Sequence, residues 1–216
     1  MLYDKDIREP LFLFLENEFG RVRIFEEMVI GRARADIVML TDGALTGIEI
    51  KSDADTYSRL PGQVTEYDRY FDYNIAVVGT CHALGIEERV PPHWGIITVE
   101  ESDFAFADFY VLRRPKPNPN MAWDKKLSLM WRPELNELLR LNLLPAYVGR
   151  SKAFVIASLA KFAQGLSDTD GLKLQISEIL FERDYTTIAE EINAYRQSIG
   201  RRPRRKIAKK RRKRRV

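Results

Sequence analysis

The chain has 216 residues, 45% hydrophobic and 11% aromatic, enough for one well-buried domain of about 100 to 150 residues plus a smaller element. No apolar run reaches about 18 residues and no charged-then-apolar leader opens the chain, so a protein that neither crosses a membrane nor is secreted is expected. The formal charge of +4 hides an asymmetry: residues 201–216, RRPRRKIAKKRRKRRV, hold twelve Lys or Arg and no acid, leaving 23 basic against 31 acidic residues, about −8, in the rest.

In chain order, DKDIREPLFLFLENEFG places Ile7, Leu11, Phe14, Leu15 and Phe19 at helical spacing, with Pro10 near the first turn and Gly20 as a stop. RVRIFEEMVIG is a β-rich run, followed by the two strands of ARADIVMLTDGALTGIEIKSD. YSRLPGQVTEYDRYFDY reads as a helix with Pro61 near its start. NIAVVG and WGIITV are short apolar strands of the kind covered on both faces. FADFYVLRRPKPNPN is a last strand running into a Pro/Asn linker at about 115–122, which marks a domain boundary. Beyond it, SLMWRPELNELLRLNLL and SKAFVIASLAKFAQGL are amphipathic helices, and a third spans about Leu172 to Tyr195. The expected domains are therefore 1–115, 123–197 and a disordered basic tail, 198–216.

The hairpin raises a chemical question. Asp42-Gly43 is a strong two-residue turn signal, because a type I′ turn needs positive φ at both positions. Thr41 then faces Ala44, Ile37 faces Ile48, Asp36 faces Glu49 and Arg34 faces Lys51. Alternation puts Ala35, Ile37, Met39, Ile48 and Ile50 on a core face, and Arg34, Asp36, Glu49 and Lys51 on the other. Two carboxylates directly opposite lie with Cβ atoms roughly 4.5 to 5.5 Å apart, which is destabilising. One answer is an oxygen-coordinated divalent ion, magnesium or manganese, with Lys51 orienting the attacking water or neutralising a phosphate. The other is a surface ladder in which Arg34 and Lys51 screen the two acids. The pairing alone leaves both open.

Asp36, twelve intervening residues and then Glu49-Ile50-Lys51, on two strands joined by a tight turn, resembles the PD-(D/E)XK nuclease superfamily, although Ala35 replaces the Pro of that name. The resemblance covers about residues 4–112. It implies an α/β fold with a restriction-endonuclease-like αβββαβ core, a mixed central sheet and a magnesium-dependent deoxyribonuclease activity serving repair, recombination, phage or defence processes. It also implies metal ligation by Asp36, Glu49 and the Ile50 carbonyl, with Lys51 catalytic. Gln63 and Tyr67, i and i+4 in QVTEY, resemble the Q-x-x-x-Y motif of the branch related to RecB and lambda exonuclease, which holds the site and the DNA. In that superfamily a further acid comes from the first helix or strand. Glu9 is the first choice here, on its similarity to the Holliday-junction resolvases, with Glu27 and then Asp6 as competitors.

Elsewhere the signals concern partners. ELNELLRLNLLPAYVGRSKAFVIASLAKF resembles the SAP DNA-binding motif, with Lys152 and its helix N-terminus toward phosphate; a helical bundle covering one edge of the sheet is the plainer reading. Trp123 and Trp131 read as packing groups. Tail residues Arg204, Arg205, Lys209, Lys210, Arg211 and Arg212, with Arg34, are expected to contact DNA, or RNA, through phosphate. Cys81 is the only cysteine, and His82 and His93 are too far apart for a helical metal motif. The expected location is the cytoplasm of a bacterial or phage system, or the nucleus in a eukaryote. A homodimer or a partner protein is also expected as an option, and a non-catalytic nucleic-acid-binding protein on a nuclease-like scaffold is the second functional reading.

Overall fold

The structure is a computed structural model that describes residues 2–101 and 107–184, together with Ala194. Residues Met1–Glu182 form one unit. Its elements run α1 (Asp4–Phe19), β1 (Arg23–Ile30), β2 (Ala33–Thr41), β3 (Ala44–Lys51), α2 (Leu60–Tyr70), β4 (Tyr73–Gly79), β5 (Gly95–Glu100), β6 (Asp108–Arg113), α3 (Trp123–Ser128), α4 (Arg132–Leu141), α5 (Lys152–Gln164) and α6 (Asp170–Phe181). A one-turn 3₁₀ segment, Thr80–His82, follows β4.

The six strands form a mixed α/β sheet in sequential order. β1, β2 and β3 pair antiparallel, β3, β4 and β5 pair parallel, and β6 closes the sheet antiparallel to β5. The parallel β3–β4 pair requires a crossover, and α2 supplies it.

Two hydrophobic layers sandwich the sheet. On one side Ile7, Leu11 and Leu15 of α1 pack against Ile37, Met39, Ile48, Ile50 and Val77. On the other, Tyr67 and Phe71 join Val38, Leu40, Val78 and Trp94 in a core that also takes Leu127, Leu138, Leu159 and Ile176 of the later helices. The segment at 115–122 thus leads into helices that share the core of the sheet. Asn118 fastens it there, donating to the Asp68 and Phe71 carbonyls at 2.7 Å each.

Three details depart from the sequence pattern. Gly43 alone lies at positive φ, 77°, so the turn is not type I′, although the two-residue register is kept. The Gly43 N–H donates instead to Ser177 Oγ of α6 at 2.8 Å, a tertiary contact no local rule contains. The helix expected to reach Tyr195 ends at Phe181, where its buried apolar series Leu172, Ile176, Leu180 runs out into Glu182, Arg183 and Asp184. Ala35 packs with Phe25 and Ile30 in the layer opposite Ile37. Alternation breaks there because Glu27, across from Asp36, adopts φ 56° and kinks β1.

Candidate functional site

β2–β3 pairing ends at Ile37–Ile48, so the strands part where Asp36 and Glu49 begin. The two acids therefore avoid the direct ladder pairing that the turn alone implies. Asp36 uses the gap: its Oδ2 accepts the Ile50 N–H at 2.9 Å. Glu49 is fully buried. Its Oε1 accepts from the Lys51 ammonium and the Gln63 side-chain amide, and its Oε2 from the Tyr67 hydroxyl at 2.7 Å. The Tyr67 hydroxyl in turn accepts the Asp36 N–H at 3.1 Å. Gln63 and Tyr67 sit one turn apart on α2, which brings both onto the face above β3. Gly47 makes the close approach possible, since a Cβ there would lie 2.2 Å from Phe71 Cδ2 and 2.7 Å from Tyr67 Cδ1.

These groups open onto a cleft of 810 Å³ lined by Asp36, Glu49, Ile50, Lys51 and Gln63, and also by Arg34 and Glu27. Burial, and secondarily the neighbouring Glu49 charge, pushes the Asp36 carboxyl up to about 7. The Tyr67 hydroxyl is held well above its ordinary value by burial and by the same two acids, which keeps it a donor. Gln63 Oε1 is buried without a hydrogen-bond partner.

Sequence reasoning missed Arg8. Its guanidinium bonds Asp4 at 2.7 Å and Glu27 at 2.8 Å, reaches the Asp36 carbonyl at 3.3 Å and lies 3.9 Å from Asp36 Oδ1. The cleft also takes Arg32 and Arg59, neither of which has an ion-pair partner among the described residues. Five basic side chains face six acidic ones there, so the site is far closer to electroneutral than the charge of residues 1–200.

Other expected residues lie elsewhere. Glu9 and Asp6 line a different groove, beside Leu13, Phe14 and Phe109, because α1 turns Asp4 and Arg8 toward the cleft instead. An acid at i and an arginine at i+4 were the readable signal. Glu27 is at the cleft but is engaged by Arg8 and Arg34. Lys152 opens α5 and donates to the Ser128 carbonyl at 2.8 Å, outside the cleft lining. Trp123 packs against the core, with the Lys126 ammonium 5.4 Å from its ring centre. Arg204, Arg205, Lys209, Lys210, Arg211 and Arg212 fall outside the described residues.

The donor set can be tested against a divalent ion. Among the described residues no group of three or more His, Cys, Asp and Glu side chains forms a metal cage. Magnesium asks for less: one or two carboxylates, with water and substrate phosphate completing the shell. A carboxylate offers about four acceptor positions. Glu49 has used three and Asp36 one, which leaves oxygen capacity on both. A buried carboxyl with a raised pKa beside a second carboxylate also gains from an added cation. The residues fit such an ion.

Fold and site together define a mixed α/β protein with a charged cleft where the central hairpin splays. The model of the family described as bacteriophage P4 protein cII matches residues 5–192, and the chain belongs to that family. No curated protein and no solved structure matches it significantly. No helix among the described residues is long and apolar enough to cross a membrane.

Proposed function

We propose that the protein is a magnesium- or manganese-dependent nuclease that hydrolyses phosphodiester bonds of DNA in the cytoplasm of a phage-infected cell. The observation that carries this reading is the convergence of Asp36, Glu49, Lys51 and Gln63 on one cleft, with Tyr67 buried behind them and donating to Glu49. The order α1, three antiparallel strands, α2, β4 also supports it, since it follows the restriction-endonuclease-like core.

Asp36, Glu49 and the Ile50 carbonyl would hold the ion. When bound, it supplies a water of lowered pKa and neutralises charge on a phosphoryl oxygen. Gln63 and Tyr67 fix the Glu49 carboxylate, so its orientation does not depend on solvent. The Ile50 N–H and Arg8 do the same for Asp36. Lys51, nearly buried, keeps its ammonium at the site, where it offsets negative charge at the scissile phosphate. Arg32, Arg34 and Arg59 offer contacts to flanking phosphates that fix register without reading sequence.

The test is cleavage of labelled duplex, single-stranded and branched DNA with manganese, comparing wild type, Lys51→Ala and an EDTA control. Cleavage by the wild type that is lost in both controls supports the reading. DNA binding without cleavage favours the non-catalytic scaffold, in which the same cations and the 201–216 tail serve affinity alone.

A further inference from the structure

Among the described residues the sheet has two edges, β1 and β6, and they differ. β1 carries Glu26 and Glu27 and is kinked by the positive φ of Glu27, devices that discourage strand addition. β6, DFYVLR, has an apolar centre. Tyr110 and Leu112 stand on its outer face at 49% and 52% exposure, while Phe109 and Val111 pack toward α1. Its one irregularity leaves Leu112 as an extra residue against Ile96 and Ile97, and exposure still alternates across it, at Tyr110, Leu112 and Arg114.

The charges at its ends are unbalanced within one chain. Asp108 pairs directly with Glu100 of β5, which sets two carboxylates side by side. Neither has a cationic partner among the described residues, and Glu100 is held only by the Tyr110 hydroxyl. Like charges opposite one another in a sheet are destabilising. At the other end Arg114 is 73% exposed and, among the described residues, ion-paired with Glu18 alone, at 2.7 Å.

From this self-complementarity we infer that β6 pairs antiparallel with β6 of a second copy of the chain, centred on Val111. In that register Tyr110 faces Leu112 of the other copy, and Arg114 faces Asp108 beside Glu100, each contact made twice as a two-fold requires. The axis is normal to the sheet, so both α1 helices lie on one side of the joined sheet. There Leu13, 64% exposed, borders the 750 Å³ groove lined by Pro10, Phe14 and Phe109. A six-residue strand pair is smaller than the roughly 1,200 Å² of a standard interface, so this flank belongs to the contact surface. The inference does not depend on the nuclease reading.

Sedimentation equilibrium of the full chain over a concentration series tests it. The wild type is expected at twice the chain mass. Leu112→Lys, an exposed position, and the single reversals Asp108→Arg and Arg114→Glu are expected to raise the dimer dissociation constant at least about tenfold, with unchanged circular dichroism. The double reversal Asp108→Arg/Arg114→Glu is expected to recover the dimer. A wild-type monomer throughout the series, open-ended growth, or a dimer indifferent to Leu112→Lys overturns it.

Discussion

The Tyr67 hydroxyl links the two acids of the cleft: it donates to Glu49 Oε2 at 2.7 Å and accepts the Asp36 N–H at 3.1 Å. Tyr67→Phe leaves one oxygen of a fully buried carboxylate and one backbone donor short of partners. The expected cost is about 1–3 kcal/mol of stability, read by urea denaturation at neutral pH. A loss within experimental error would show that water replaces the hydroxyl.

The raised Asp36 pKa has a sign. With the folded value at about 7 and the ordinary one at 3.8, the native state holds a proton that the unfolded state releases between those values. Its stabilising share is present below about pH 4 and is lost as pH rises through about 7. In EDTA, Asp36→Asn is therefore expected to gain stability relative to wild type across that window and to remain the more stable above it. Thermal melts of both proteins at several pH values measure the difference; a constant offset would contradict the burial argument.

Lys126 and Asp72 form the buried ion pair that ties α3 to the sheet. The ammonium lies 2.8 and 2.7 Å from the two carboxylate oxygens, and Asp72 Oδ2 also accepts the Leu45 N–H. Lys126→Met strands a buried carboxylate and is expected to cost about 3–5 kcal/mol. Adding Asp72→Asn should recover part of that loss, which denaturant melts of the single and double variants would show.

Deleting residues 201–216 removes twelve cations. Affinity for duplex DNA is expected to fall, and the slope of log affinity against log salt to flatten by about 0.9 for each phosphate that the tail no longer neutralises. Fluorescence anisotropy over a salt series reads both, and an unchanged slope would assign the affinity to the cleft cations instead.

The meeting of Asp36, Glu49 and Lys51 was legible in the sequence because a two-residue turn fixes hairpin register, and the pairs Thr41–Ala44 and Ile37–Ile48 follow from it. The order of elements through β6 was legible for a similar reason, as each apolar run has its own period and stop signal. What was hidden depends on distant contacts. The φ of Glu27, the splay beyond Ile37 and the hold of Ser177 on the turn belong to tertiary structure. The choice between Arg8 and Glu9 is a rotation of α1 by one residue, which a stripe of Ile7, Leu11 and Leu15 constrains only loosely. The short helix α3 has no signature of its own, because six residues carry too little periodicity to register.

The grip of α6 on the first strands bears on the birth of the protein. The Arg23 guanidinium bonds the Phe181 carbonyl, Arg21 lies 4.0 Å over the Phe181 ring, and Ser177 holds the hairpin tip, contacts closed over more than a hundred residues of chain. Such long loops close slowly. While the ribosome is still making α5, the acids of the cleft already exist, but the strands that carry them lack their final clasp. A nascent chain therefore gains this clasp only after residue 181 has left the exit tunnel.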